Sequence, residues 1–368
     1  MVLESSENSK TIRRKLEHIE IVYAKPVEGP LTTWFEYIFL PHRALPVVDP
    51  EKVSTRMNFL KKEIEAPLMI TGMTGGAPGT EVLNKSLAEA ACRFKIVLGL
   101  GSQRAALESR ELAYTYSIVR DVCTEIPVVG NIGISEIVRY GPRIVDQLTS
   151  IVEVDALAVH LNYFQEVVQP EGLVYISRGL EVLSEVIERS PVPVIVKEVG
   201  FGISREFAED LYSAGIRYID VAGSGGTNWT LVELYRAMNS GNLVKQYIAD
   251  GLKSVGIPTA ASIAEVRSAA EDFFIIGSGG VRSPYDAVKA LRLGADMVGL
   301  ARPILVAYVK KHLREFLEAF IVGVKSVLAS VGATTLHDIE KCPIVVTGPL
   351  KDWVNSRRIV YLKDIGQQ

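Results

Sequence analysis

The chain has 368 residues, 48% of them hydrophobic and 23% charged. That balance is ordinary for a soluble globular protein large enough to bury its own core. The formal net charge of −3 argues against nucleic acid as a partner, because binding to a phosphate backbone shows as a basic surplus.

At the N-terminus, MVLESSENSKTIRRKLEHIE carries charges where a secretory signal needs an apolar run. The most apolar later stretch, 320–331, is interrupted by Lys325 and is too short to span a membrane. These features predict a soluble, cytoplasmic protein with no membrane partner. Residues 1–65 read as an extension with a basic motif, Arg13-Arg14-Lys15 followed by His18. Arg14 and His18 share one side of a helix at i, i+4 spacing, and Lys15 lies three residues before His18.

From about residue 66 to 302, short apolar runs alternate with amphipathic stretches. The runs are PLMITGM, IVLGLGS, PVVGNIG, DALAVHLN, PVIVKEV, YIDVAGSGG, FFIIGSGG and DMVGLA. Strands that are apolar throughout are buried on both faces, which means a parallel sheet covered by helices. Helices are expected at 81–94, 135–149, 179–189, 205–214, 231–238 and 284–293. The last has Ser283 as N-cap and Pro284 in the first helical position. Eight strands with helices between them predict an α/β fold of the TIM (β/α)8 barrel type rather than a doubly wound sheet. Residues 239–262 read as an inserted connection and 303–368 as a C-terminal helical extension, all within one domain. Cys92, Cys123 and Cys342 lie far apart without metal-finger spacing. They are expected as buried thiols in a reducing compartment, with neither a disulfide framework nor a zinc site.

Barrels of this kind place chemistry at the C-terminal ends of their strands. Here those ends read Thr71-Gly72-Met73-Thr74, Ser102-Gln103-Arg104, Asn131, His160-Leu161-Asn162, Lys197, Gly225-Gly226-Thr227, Gly279-Gly280-Val281-Arg282 and Ala301. The two Gly-rich turns after the sixth and seventh strands could cradle a phosphate on backbone N–H groups and a helix N-terminus, or could simply be tight turns. Lys197 ends an otherwise apolar strand, where an unpartnered ammonium is costly to bury; it could also pair with Glu198 or another rim carboxylate. Arg14, Lys15, His18 and Arg104 could converge on a polyanion such as a diphosphate, or form a solvated face. Glu166, in HLNYFQEVVQPEG, could join diphosphate oxygens around Mg²⁺ or be a helix-surface acid.

RRKLEH, MTGG, GLGSQR, NIG, HLNYFQE with QPEG, GGTNW and GSGGVRS together resemble the ordered motifs of the type 2 isopentenyl diphosphate isomerases. The resemblance runs from Arg13 to about Pro303. Tyr163-Phe164, where the family often has Pro and a small or aliphatic residue, and Leu173, where an acid is common, depart from it. It implies interconversion of isopentenyl and dimethylallyl diphosphates with reduced FMN and Mg²⁺, NADPH serving only to reduce the flavin. By position it implies that Thr71, Gly72, Met73, Ser102, Asn131, Lys197, Gly226, Thr227, Gly279, Gly280, Arg282 and Ala301 hold FMN. Arg14, Lys15, Arg104 and His160 would bind the diphosphate, with His18 and Thr74 nearby, and Glu166 would ligate Mg²⁺. Asn162, Gln165, Trp229 and Glu233 would surround the hydrocarbon end, with Gln165 and Glu233 as candidates for proton relay. Lys197 would keep the flavin anionic. A homo-oligomer, tetramer or octamer, is implied in the same way.

Two other readings are open. A 2-hydroxy acid oxidase on the same barrel would want a His base beside an Arg near the flavin. None of His18, His42, His160, His312 and His337 follows the sixth or seventh strand within the barrel. A non-catalytic flavin- or phosphate-binding barrel would bind FMN without turning over a substrate.

Overall fold

The computed structural model describes residues 2–169, 172 and 178–360. α1 (Val2–Ala24) precedes β1 (Ile38–Phe39) and a hairpin of β2 (Met57–Phe59) and β3 (Lys62–Ile64). Each of the eight apolar runs then forms a strand: β4 (Leu68–Ile70), β5 (Val97–Gly99), β6 (Val128–Gly133), β7 (Ala156–His160), β8 (Val194–Lys197), β9 (Tyr218–Asp220), β10 (Phe274–Ser278) and β11 (Met297–Leu300). All pair in parallel, and β11 closes on β4 with Val298–Leu300 in register with Leu68–Ile70. The fold is therefore the expected closed α/β barrel. Antiparallel pairing of β1 with β12 (Val345–Val346) ties the C-terminal segment to the start of the chain.

Period-2 alternation divides the strand side chains between two cores. Met69, Val97, Val129, Ala156, Ala158, Ile195, Ile276 and Met297 fill the barrel interior. Leu68, Ile70, Leu98, Val128, Leu157 and their neighbours pack outward on the helices. The β2–β3 hairpin plugs the N-terminal end, where Phe59 lies 4.9 Å from the Phe274 ring and 6.2 Å from that of Tyr218. The bottom is thus sealed with hydrocarbon and aromatic surface, and polar groups gather at the opposite mouth.

The helices are α2 (Thr80–Phe94), α3 (Arg104–Glu108), α4 (Tyr114–Val122), α5 (Ile134–Tyr140), α6 (Ile144–Val152), α7 (Tyr163–Val168), α8 (Gly179–Arg189), α9 (Arg205–Ser213), α10 (Trp229–Asn239), α11 (Leu243–Leu252), α12 (Thr259–Ala269), α13 (Pro284–Arg292), α14 (Arg302–Val309), α15 (Leu313–Val331) and α16 (Gly348–Ser356). The single helix expected at 135–149 is two, α5 and α6, because Gly141 takes φ 85° and Pro142 follows it. The segment 239–262 is not a plain connection: it contains α11 and the start of α12. Ser283 caps α13 as expected, accepting from Asp286 N at 3.1 Å in a reciprocal capping box.

The cysteines correct the expectation of three free thiols. α2 and α4 pack side by side, which brings Cys92 and Cys123 to a Cα separation of 6.0 Å, and they are joined as a disulfide. Cys342 remains a buried thiol. Among the described residues no helix is long and apolar enough to cross a membrane.

Candidate active site

A cavity of about 270 Å³ opens at the C-terminal mouth of the barrel. Its wall comes from the ends of β4 to β11, with α1, α7, α10 and α14 closing the sides. Every residue to which the family resemblance assigns a role lies on this wall except Glu233.

On one side the two glycine turns interlock. Gly279 (φ 100°) and Gly280 (φ 76°) are in the left-handed region, and a Cβ on Gly226 would stand 2.5 Å from Gly280 N. No side chain fits between these turns. Among the described residues the N–H groups of Gly279, Gly280 and Val281 have no hydrogen-bond partner. Unsatisfied N–H groups lining a cavity just before a helix N-terminus suit a phosphate, so the donor set fits the phosphate end of FMN. Arg282, on the cavity wall, donates from its guanidinium to Gly280 O and Gly225 O at 2.8 Å each and pairs with Glu28 at 2.9 Å, so it fastens the turns and the N-terminal segment. Arg302 grips the same Glu28 at 3.1 Å.

Across the floor, Thr71, Gly72 and Met73 present backbone. A Cβ on Gly72 would meet Leu100 O at 2.0 Å, so the chain here is pressed against β5. The Thr74 hydroxyl is taken by buried Asn84 and Thr71 donates to Leu300 O, so each is turned into the barrel wall. Lys197 is buried and donates to the Glu198 carbonyl at 2.6 Å. The nearest carboxylate is not that of Glu198, which accepts three backbone N–H bonds of its own, but Asp220 at 3.5 Å. Burial pushes the Glu198 carboxyl up to about 7 despite those bonds.

Opposite the turns stands a cationic wall. Lys15 donates to Ser102 O at 2.9 Å and to the Tyr116 hydroxyl at 3.2 Å. Burial, then the neighbouring Arg14, lowers the Lys15 pKa to about 7. Arg104 forms ion pairs with Glu108 at 2.6 Å and Glu136 at 3.0 Å, and these carboxylates outweigh burial and raise its pKa. His160 Nδ1 lies 2.7 Å from Asn131 Oδ1. Burial, then Lys197 and Lys15, brings its pKa down to about 3, so the imidazole is neutral. With Nδ1–H donated to Asn131, its Nε2 is left as an acceptor.

The remaining wall is α7 with α10. Asn162 Nδ2 donates to Glu166 Oε1 at 2.9 Å, and both line the cavity. Among the described residues no cluster of three or more His, Cys, Asp or Glu could hold a metal alone. One carboxylate facing a diphosphate site still fits Mg²⁺, which keeps most of its waters and takes phosphate oxygens. Trp229 meets the His18 ring edge-on at 5.0 Å. Glu233, expected beside the substrate, is fully buried behind this wall. One turn beyond Trp229 on α10 its side chain points into the protein, where it accepts from Gln165 Nε2 at 3.2 Å and from Arg236 at 2.8 Å, and meets His18 Nε2 at 2.8 Å. Burial alone would raise its carboxyl, but His18 and Arg236 hold it at about 2. Of the two departures from the family pattern, Tyr163 and Phe164 lie off the cavity wall, Phe164 against Phe201 at 5.2 Å, and Leu173 lies outside the described residues.

Sequence reading missed Tyr116, Glu108 and Glu136, the partners that position Lys15 and Arg104, because contacts between helices leave no mark in local spacing. Asp220 was also missed, although a lone acid in an apolar strand is the same signal that singled out Lys197.

Residues 175–345 match the family model described as FMN-dependent dehydrogenase. In overall shape the chain is similar to a lactate oxidase from Pediococcus acidilactici, with TM-score 0.66, 15% identity and 93% of this chain and 94% of that one covered. It is also similar to a mandelate oxidase mutant bearing a monooxide FMN adduct, with TM-score 0.61, 15% identity and 93% and 100% covered. At that identity these likenesses show the fold alone. An isopentenyl-diphosphate delta-isomerase of Methanothermobacter thermautotrophicus is 43% identical over 94% of this chain and 96% of its own. The enzymes of that name from Sulfurisphaera tokodaii and Ignicoccus hospitalis are 42% and 40% identical, over 96% and 95% of this chain and 96% and 98% of theirs. The chain therefore belongs to the isopentenyl-diphosphate delta-isomerase family, in its FMN-dependent, type 2 form.

Proposed function

We propose that the protein interconverts isopentenyl and dimethylallyl diphosphates, with FMN seated on the glycine turns, Mg²⁺ at Glu166 and NADPH as the reductant of the flavin. One observation carries this reading: the phosphate-fitting turns, Lys197 and the Arg14–Lys15–Arg104–His160 wall face a single cavity. When bound, reduced FMN supplies an electron-rich ring and a nitrogen that can deliver and recover a proton.

Moving the double bond adds a proton at one carbon and removes one from another, through positive charge that water would quench. Arg14, Lys15 and Arg104 anchor the diphosphate away from the reacting carbons, so remote binding energy positions the alkene. Trp229 covers the hydrocarbon end. Gln165 donates Nε2–H to Glu233 and so turns Oε1, its acceptor, to other partners; Glu233, held ionised by His18 and Arg236, fixes that orientation. Lys197 supplies the positive charge that a reduced, anionic ring requires.

The same reading takes residues 1–65, 66–302 and 303–368 as parts of one domain in a cytoplasmic homo-oligomer. Leu243, Val244 and Tyr247, exposed on α11 at 64, 68 and 79%, support a contact between copies. Light scattering on the purified protein tests it. The activity is tested by supplying isopentenyl diphosphate, Mg²⁺, FMN and NADPH without oxygen. Dimethylallyl diphosphate is expected. A preparation that binds FMN yet yields none, or that oxidises lactate, rejects the proposal.

A further inference from the structure

Asp220 is the one acidic residue of β9, and it sits at the last position of that strand, 1% exposed. The parallel ladder sets it beside Lys197, its register partner on β8. One carboxylate oxygen is well used: Asp220 Oδ1 accepts from the Ser278 hydroxyl at 2.5 Å and from Ala222 N at 3.3 Å. Oδ2 is different. It is the buried side-chain N or O atom left without a hydrogen bond among the described residues, and it lies 3.5 Å from Lys197 Nζ.

A buried carboxylate oxygen with no donor is unfavourable unless a positive charge stands close by. Three groups face the Lys197 ammonium. His160, its register partner on β7, is neutral at ordinary pH. Glu198, next in the chain, offers Lys197 its carbonyl and gives its carboxylate to the N–H groups of Val199, Gly200 and Phe201. Asp220 is the carboxylate that faces the ammonium from β9. Lys197 lines the cavity, whereas Asp220 does not.

We infer that Asp220 is a positioning residue that keeps Lys197 charged and aimed into the cavity before any cofactor is reduced there. Resting on the FMN reading above, the inference adds a consequence for reduction. If Lys197 is already an ammonium, two-electron reduction of the flavin to its anionic form takes up one proton. If Lys197 were neutral beforehand, it would take up a second proton to meet the new negative charge. The charge on Asp220 therefore sets how many protons accompany the two electrons.

Two measurements test this, one needing no flavin. In the flavin-free chain carrying lysine labelled with ¹³C at Cε, the Lys197 signal is assigned by its loss in K197Q. It is expected to report an ammonium at pH 8 in the wild type and, in D220N, a charged fraction at least tenfold smaller. A neutral Lys197 in the wild type overturns the inference even if D220N does not fold, and so does an unchanged charge in D220N. In the holoenzyme, the pH dependence of the midpoint potential counts protons: one per two electrons is expected in the wild type and two in D220N, and one in both contradicts the inference. A chain that shows the lysine response but binds no FMN would refute the functional reading and leave the Asp220–Lys197 relationship standing.

Discussion

Gln165 Nε2 lies 3.2 Å from Glu233 Oε1, and through this bond a carboxylate with no cavity surface is coupled to the amide that lines the substrate space. Glu233 is also met by His18 and Arg236, so its effect reaches the cavity through the orientation of Gln165 and His18. E233Q is expected to lower kcat at least tenfold while KM changes less than threefold, since no substrate contact is removed. A raised KM with kcat unchanged would place Glu233 in ground-state binding instead. The same carboxylate gives an acid-stability signature. His18 and Arg236 hold it at about 2, below the ordinary 4.5 of a glutamate, so its stabilisation is complete above 4.5 and is lost as pH falls toward 2. The Tm of the wild type should fall more steeply than that of E233Q across that window.

Lys15 makes anion binding depend on pH. With a pKa lowered to about 7, it is largely neutral at pH 8.5 in the free protein, and an arriving diphosphate favours its charged form. Binding of inorganic pyrophosphate should then take up a proton above pH 7, and affinity should weaken by up to tenfold per pH unit. Calorimetry in buffers of different ionisation enthalpy measures the uptake. K15M is expected to lose it, and an uptake that survives in K15M would assign the proton elsewhere.

The glycine turns separate a local strain from a functional one. A Cβ on Gly280 would stand 2.5 Å from Gly225 O, inside the turn pair, whereas Gly241 has φ 70° with nothing within 4 Å. G241A should cost about 1 to 2 kcal/mol through left-handed backbone alone and leave FMN affinity intact. G280A should weaken FMN binding at least tenfold, read by quenching of flavin fluorescence. Equal FMN affinity in the two variants would remove the turns from the phosphate site.

How much of this could be read from the sequence follows from what is local. The eight strands were legible because burial on both faces leaves unbroken apolar runs, and the mouth residues because each run ends in a polar group. The break between α5 and α6 falls at Gly141-Pro142, where apolar periodicity on either side masks it. Glu233 and Trp229 share α10, yet only three-dimensional packing tells that one faces the cavity and the other the protein interior. The Arg282 guanidinium, held by the carbonyl of Gly280 in its own turn and by that of Gly225, 57 residues away in sequence, could not be foreseen from GSGGVR.

The disulfide belongs with those non-local features. Cys92 and Cys123 are 31 residues apart and carry no pairing signal in their spacing. Closing a loop of that length stabilises by about 3 to 4 kcal/mol through the unfolded chain. C123S should lower Tm by several degrees without altering FMN affinity, and an equal Tm with and without reductant in the wild type would show that the bond is not formed.

Flavin and diphosphate should share one cup, and a crystal structure with FMN and inorganic pyrophosphate decides it. The FMN phosphate is expected at the N–H groups of Gly279 to Val281, its ring between Met73 and Lys197, and the pyrophosphate against Arg14, Lys15, Arg104 and His160. Pyrophosphate bound outside that wall, or a flavin ring remote from Lys197, would rule out a shared cup.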